Sequence, residues 1–264
     1  MNQKLVSVVI PTYNDSNYIR DTISSITEQT YKNIEIIFID DCSSDDTVRE
    51  IISSGDSRIV LIKNDNNSGP AVSRNKGVLA ASGDYIAFCD SDDLWHPEKL
   101  EKQIYAMEKN DWIFTYTLFN IVDEFGSKYS SSGPLPQQTE YNKLLKHCFI
   151  RTSSVVYSVS EPTGKIYFPL LRKRQDFGFF LSLLRSIPRA HLVDEYLCDY
   201  RIRKNSVSSN KIKNIPYQWA VYRDAEGLSL LRSVALMAQW AFHALFVEGR
   251  RRRDKLVNLK ESVS

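Results

Sequence analysis

DYIAFCDSDDLWHP, residues 84–97, is the stretch on which the fold turns. Tyr85 to Phe88 form an apolar run too short for an amphipathic helix, followed at once by Asp90-Ser91-Asp92-Asp93, so it reads as a buried strand that ends in acid. Open α/β sheets bind their ligands at the carboxyl ends of such strands. Three carboxylates within four residues repel one another unless a cation joins them. A hard divalent ion with oxygen ligands, Mn2+ or Mg2+, suits that donor set and also bridges phosphates. A solvated turn whose acids cap the following helix is the other reading of the same residues. That helix is signalled by His96-Pro97, with Leu100, Ile104 and Met107 along one side.

Outward from this stretch the pattern repeats. Residues 6–10 (VSVVI), 34–40 (IEIIFID) and 58–63 read as strands. Between them, Ile19, Ile23 and Ile26 mark one helix face, and Ser44 is a candidate N-cap for a helix carrying Val48, Ile51 and Ile52. Gly69-Pro70 opens a further helix to about Ala80. This alternation predicts an α/β fold with a Rossmann-like, mostly parallel central sheet flanked by helices. Asp40-Asp41 ends its strand as Asp90 does, so two acidic strand ends face one crevice. Downstream, residues 112–118 and 152–159 are strand candidates and 175–185 a helix, with an apolar return at 191–197. Residues 124–142 read as one long polar loop.

The 264 residues have ordinary globular composition, 42% hydrophobic and 25% charged, which excludes disorder and collagen-like repeats. Four cysteines without Cys-x-x-Cys spacing point to reduced thiols and away from structural zinc. The net charge of +2 hides a division: residues 1–199 hold 21 Lys+Arg against 27 Asp+Glu, and residues 200–264 hold 13 against 5. A basic tail points to a phosphate-bearing partner. The first apolar run is too short for a signal peptide, so a cytoplasmic location is expected.

SVVIPTYN (7–14), FIDDCSSDDT (38–47) and GPAVSRNKGVLAASGDYIAFCDSDDLWHPEKLEKQ (69–103), in this order and spacing, resemble the inverting glycosyltransferases of family 2, which have the GT-A fold. The resemblance covers about residues 5–210. It implies a GT-A glycosyltransferase domain over 1–213, with a nucleotide-sugar-binding half to about 110 and an acceptor-binding half after it. By the same resemblance, Pro11, Thr12 and Tyr13 line the base pocket, Asp41 bonds the base edge, and Arg74 lies near ribose and diphosphate. Asp92 lies near ribose or metal, and Asp93 is the stronger metal ligand. Trp95 and His96 either touch the sugar or pack the helix start. Asp45 and Asp46 read as turn and first-turn acids without chemistry.

Inverting transfer needs a base that takes the acceptor hydroxyl proton while the nucleotide diphosphate leaves from the opposite face. RKRQDFGFFLSLL (172–184) matches the segment that carries this carboxylate in the family, which makes Asp176 the expected catalytic base; Gln175 replaces the commoner acid before it. Arg172, Lys173 and Arg174 read as a solvated turn. The basic run YRIRKNSVSSNK (200–211) resembles a segment that closes over a diphosphate, with Arg201 and Arg203 as candidates there.

Residues 214–264 form an amphipathic C-terminal region with a basic end. The uncharged stretch 233–247 rises only about 22 Å as a helix, short of a roughly 30 Å hydrocarbon core. Its apolar circumference must be buried, against the domain, a second subunit in a homodimer, or the lipid interface. Arg250–Arg253 then give the two-signal form of peripheral attachment to the inner face of the cytoplasmic membrane. No nucleic-acid-binding module accompanies the arginines.

The expected function is metal-dependent transfer of a sugar from a nucleotide-diphosphate donor, a UDP-sugar, to a saccharide acceptor, lipid-linked, in cell-surface polysaccharide synthesis. The competing readings are a nucleotidyltransferase, for which a Gly-rich loop near residue 11 is missing, and a non-catalytic sugar-nucleotide-binding or membrane scaffold module. Dehydrogenase and kinase classes are disfavoured because neither GxGxxG nor GxxxxGK[ST] occurs.

Overall fold

The structure, a computed structural model, describes residues 3–160, 163–203 and 214–242. The apolar runs up to Phe88 become strands β1 (Val6–Thr12), β2 (Ile34–Asp40), β3 (Ile59–Lys63) and β4 (Tyr85–Phe88). They alternate with helices α1 (Ile19–Thr27), α2 (Thr47–Ser53) and α3 (Pro70–Ala80). The short β5 (Leu94–Trp95), α4 (Lys99–Asn110), β6 (Phe114–Val122), β7 (Lys128–Ser131), β8 (Gln138–Thr139) and α5 (Tyr141–Lys146) follow. A 3-10 turn at Thr152–Ser154 leads into β9 (Val156–Ser158), and α6 (Gln175–Ser186), β10 (Ala190–Arg201), α7 (Ile215–Ala220), a π-helical turn (Val221–Ala225) and α8 (Leu230–Phe242) complete the described elements.

One sheet runs β3-β2-β1-β4-β9-β6-β10-β5, with β7 added to β6 and β8 to β10. The long pairings, β1 with β2, β2 with β3, β1 with β4 and β10 with β6, are parallel. Short antiparallel β9 joins β4 to β6, so the N-terminal and C-terminal halves share the sheet. Alternation along β1 sends Val8 and Ile10 to a core under α1 and α4, and Val9 to a core under α3 and α6. Gly77 lets α3 lie close on the sheet, because a Cβ there would stand 2.4 Å from Val9 Cγ1.

Three local expectations change. The N-cap of α2 is Asp46, not Ser44, whose N–H and hydroxyl turn to Asn14 Oδ1 instead. The 124–142 segment is not one loop, since β7 and β8 pair with sheet strands there. Only Val156–Ser158 of the 152–159 strand candidate is extended; Thr152–Ser154 form a 3-10 turn that brings Ser153 to the acid cluster. At the C-terminus, α8 packs Leu236 and Met237 on the core but leaves Leu230, Leu231 and Val234 exposed, so only part of its apolar surface is covered by the domain. His243 and Arg250–Arg253 lie outside the described residues.

Candidate active site

Because β1, β2 and β4 are parallel, Thr12, Asp40 and Phe88 end at one edge of the sheet, and the loops after them meet. The loop after β1 turns through Asn14, at φ 53°, and is stitched to the loop after β2. Asn14 N–H donates to Ser43 Oγ (3.0 Å), Asp15 N–H to Thr47 Oγ1 (2.8 Å) and Ser16 N–H to Asp45 Oδ2 (3.1 Å). Asp45 therefore ties two site loops together, a structural task that its turn position alone did not reveal. Thr12 is buried, while Tyr13 is half exposed with its ring free of the core. Asp40 is buried and accepts from Ser43 N–H.

Asp41 is buried at the end of β2. Its Oδ1 accepts from Asn64 Nδ2 (2.6 Å) and Ser68 N–H (2.8 Å), and Oδ2 accepts from Gly69 N–H (2.7 Å), fixing the approach to α3. Arg74, one turn into α3, is nearly buried. Its Nη2 pairs with Asp90 Oδ1 at 2.5 Å and its guanidinium lies 5.3 Å from the centre of the Phe168 ring. Among the described residues, Arg74 Nε and Nη1 have no hydrogen-bond partner, an unusual state for buried donors.

The three clustered aspartates are not equivalent. Asp90 and Asp92 are partly exposed, with side chains 31% and 20% accessible. Asp93 is fully buried: Oδ2 accepts from Ser153 Oγ (2.5 Å) and Oδ1 from Arg201 N–H (2.9 Å). Burial, with the charges of Asp92 and Asp90, pushes its carboxyl well above the usual range. Burial also lifts Asp92 to about 6, against the opposing pull of Arg203. The expectation that Asp93 is the stronger metal ligand therefore meets a carboxylate whose two oxygens are committed inside the chain, whereas Asp92 and Asp90 face outward. Trp95 is buried and donates to Ser153 O (2.8 Å), which makes it a packing residue.

Arg201 and Arg203, at and just past the end of β10, reach this cluster. Arg201 is buried, with Nε on Asp92 O (2.9 Å), Nη1 on Glu124 O (3.0 Å) and Nη2 near Asp21 (3.4 Å). Arg203 bridges Asp92 Oδ2 (2.5 Å) and Asp15 Oδ1 (2.7 Å). Asp15 also accepts from Thr12 Oγ1, Tyr13 N–H and the Ser91 hydroxyl. Sequence reading missed Asp15 and Ser153. The signal for Asp15 was faint, an acid three residues past a strand end; Ser153 gave none. The rest of the basic segment, 204–213, lies outside the described residues.

Asp176 stands in the first turn of α6, half-buried, and no hydrogen bond or salt bridge engages its carboxylate among the described residues. The start of α6 is fixed by rings: Phe179 stacks on Phe168 (centroids 4.1 Å apart), and both meet the edge of Phe88, two residues before Asp90. Asn75 locks the Phe168 backbone with a reciprocal pair of bonds, 2.9 and 2.7 Å. Residues 172–174 are not a free turn, because Arg174 donates to Gln218 Oε1 and Lys173 lies over Tyr217, both on α7.

Residues 7–157, more than half the chain, match the family model described as Glycosyl transferase family 2. The chain belongs to glycosyltransferase family 2. It is 38% identical over 244 residues to the putative teichuronic acid biosynthesis glycosyltransferase TuaG of Bacillus subtilis (strain 168), covering 91% of this chain and 96% of the relative. It is also 38% identical to the Escherichia coli UDP-Glc:alpha-D-GlcNAc-diphosphoundecaprenol beta-1,3-glucosyltransferase WfgD, covering 85% and 87%. Among solved structures, S. aureus TarS 1–349 superposes with a TM-score of 0.69 at 19% identity, covering 92% of this chain and 72% of TarS. The Pyrobaculum calidifontis mannosyltransferase PcManGT, solved with GDP-Man and Mn2+, gives 0.66 at 14%, covering 100% and 80%. These likenesses establish the GT-A fold, and with the family they make this family 2 member a glycosyltransferase enzyme, removing the scaffold and nucleotidyltransferase readings.

Proposed function

We propose that this glycosyltransferase moves one sugar from a UDP-sugar, with inversion at the anomeric carbon, onto a saccharide carried on a polyprenyl diphosphate, assisted by Mn2+ or Mg2+. The observation that carries the reading is the buried Arg74 guanidinium beside Asp90, with Nε and Nη1 lacking hydrogen-bond partners among the described residues. Buried donors left open in this way suit the oxygens of a diphosphate. UDP is preferred because WfgD is named for UDP-Glc and TarS has been solved in complex with UDP-GlcNAc. The lipid diphosphate acceptor follows from the name of WfgD.

In this reading Pro11, Thr12 and Tyr13 form the base pocket, the exposed Tyr13 ring being available for stacking, and Asp41 Oδ2, with one bond made, can accept from the base. Asp92, with Asp90 and the neighbouring Asp93, would supply hard oxygen donors for a divalent ion; among the described residues Asp90 and Asp92 are paired with Arg74 and Arg203, and no group of three or more acidic, His or Cys side chains is poised around one ion. When bound, the ion offsets the charge that develops on the leaving diphosphate. Asp176 takes the acceptor hydroxyl proton at its carboxylate as that oxygen attacks the anomeric carbon. The exposed Leu230, Leu231 and Val234 of α8, with the polybasic Arg250–Arg253 further along the chain, favour attachment to an anionic membrane face over a homodimer.

The test is transfer from a panel of UDP-, GDP- and dTDP-sugars to a synthetic GlcNAc-diphosphate lipid, with Mn2+ or with chelator, and NMR assignment of the product anomer. Chelator-sensitive transfer from a UDP-sugar with inverted configuration is expected. Retained configuration, or full activity in chelator, would overturn the corresponding part. Vesicle sedimentation with anionic lipid tests the membrane attachment, and a stable dimer without vesicle binding would reverse the choice.

A further inference from the structure

An open groove of about 380 Å3 lies on the outer side of α3. Val72, Asn75, Lys76 and Leu79, at helical spacing, form one wall, and Tyr167 and Leu170, in the segment leading into α6, form the other. Its volume is in the range of small-molecule sites, about 300–1,000 Å3. Leu79, Tyr167 and Leu170 are 68%, 45% and 75% exposed, so large apolar side chains are gathered there at the surface. The groove is preformed, because Asn75 Nδ2 donates to Phe168 O (2.9 Å) and Phe168 N–H donates to Asn75 Oδ1 (2.7 Å), holding the two walls together. At the rim, Lys165 Nζ donates to Leu79 O at 2.9 Å.

The stretches that form the walls contain no acid. Residues 66–83 hold two Lys+Arg and residues 163–175 hold four, with no Asp or Glu in either, although residues 1–199 as a whole carry an acid excess. Lys76 lays its stem along the apolar wall, and neither its ammonium nor the exposed Arg172 meets a carboxylate among the described residues. Two contacts join the groove to the candidate active site. Pro169 packs on Gly178, where a Cβ would stand 2.5 Å from Pro169 Cγ, and Gly178 is two residues past Asp176 in α6. Phe168 lies under the Arg74 guanidinium, 5.3 Å from ring centre to carbon. An apolar trough rimmed by cations suits an anionic amphiphile, and its place beside the start of α6 suits one whose head group reaches Asp176. We propose that the groove receives the first isoprenoid units of a polyprenyl diphosphate acceptor, with Lys76 and Arg172 facing its phosphates. This rests on the reading of the acceptor as a lipid diphosphate. Its consequence is that the tail, and not the saccharide head alone, sets how well an acceptor binds.

The experiment compares two acceptors in detergent, GlcNAc-diphosphate carrying a tetraprenyl tail and the same head carrying a methyl group, with the full chain as wild type and as the double variant Leu79→Ser, Leu170→Ser. Wild type is expected to use the tetraprenyl acceptor with a kcat/KM about tenfold or more above that for the methyl acceptor, the difference lying in KM. In the double variant this ratio is expected to fall to within about twofold. If the double variant fails to fold, as judged by thermal melting, the exposed Leu170→Ser alone carries the comparison. Equal kcat/KM for the two acceptors in wild type, or an undiminished preference in the folded variant, overturns the inference and leaves the acceptor reading standing. A variant that keeps the preference but no longer sediments with phosphatidylglycerol vesicles also overturns it, and assigns the groove to the bilayer surface. Absence of transfer to either acceptor overturns the lipid-diphosphate reading and the inference together.

Discussion

The backbone N–H of Arg201 donates to Oδ1 of Asp93 over 2.9 Å, joining the end of β10 to the acid cluster across 108 residues of sequence. The other oxygen of Asp93 receives the Ser153 hydroxyl, which itself accepts from Asp90 N–H at 3.0 Å. Asp93 is thereby the buried pin of a site whose outward carboxylates are Asp90 and Asp92. Its removal and that of Asp92 should be separable. Asp93→Ala strands the Ser153 hydroxyl and Arg201 N–H and is expected to lower stability by about 2–4 kcal/mol in urea unfolding. Asp92→Ala should leave the unfolding free energy from urea denaturation within about 1 kcal/mol of wild type and abolish Mn2+-stimulated transfer. A stable, inactive Asp93→Ala protein would instead support the expected ligand role of Asp93.

Asp176→Asn keeps the size of the side chain and removes the proton acceptor. It should reduce kcat by about a hundredfold or more, with donor binding by thermal shift unchanged. Near-normal turnover under saturating substrates would require a different base.

Asp45 provides a pH test of the loops that carry Tyr13. Partial burial pushes its carboxyl up, but bonds from the Thr47 hydroxyl and N–H and from Ser16 N–H outweigh this and hold it at about 2. A carboxyl lower in the folded than in the unfolded state adds stability that is present above its unfolded pKa of about 4 and lost as pH falls toward 2. Its solvent exposure limits the effect to about 1 kcal/mol. Asp45→Ala should therefore be less stable than wild type at pH 7 and show a shallower loss between pH 4 and 2. Parallel melting curves over that window would show that the bonds carry no stability.

Lys99 is a buried ammonium. Among the described residues it has no hydrogen-bond partner; it lies 3.9 Å from the centre of the Trp95 ring and is pulled down by burial to about 8. With its folded pKa below the unfolded value of about 10.4, the native state binds fewer protons between those limits, so this group makes stability rise with pH across that window. Lys99→Met should raise stability at pH 7 by about 1–2 kcal/mol and flatten the dependence between pH 8 and 10. A destabilised Lys99→Met protein would mean that the contact with Trp95 outweighs the cost of the buried charge.

The strands up to Phe88, α1, α3 and the acidic strand ends were legible in the sequence because each depends on local patterning. Period-two alternation places Val8 and Val9 on opposite faces, and Gly69-Pro70 starts α3 at the expected residue. The family was legible too, since its motifs are contiguous runs of residues. What the pattern could not hold is which carboxylate faces outward. Asp90, Asp92 and Asp93 are chemically identical and adjacent. Their difference comes from Ser153 and Arg201, delivered by a 3-10 turn and a strand that are 60 and 108 residues away from Asp93. The same holds for Asp15, which gains meaning only when Ser91 and Arg203 arrive beside it. Local sequence sets secondary structure through periodicity and caps, whereas the charge state and direction of a carboxylate are set by distant groups that burial brings into contact.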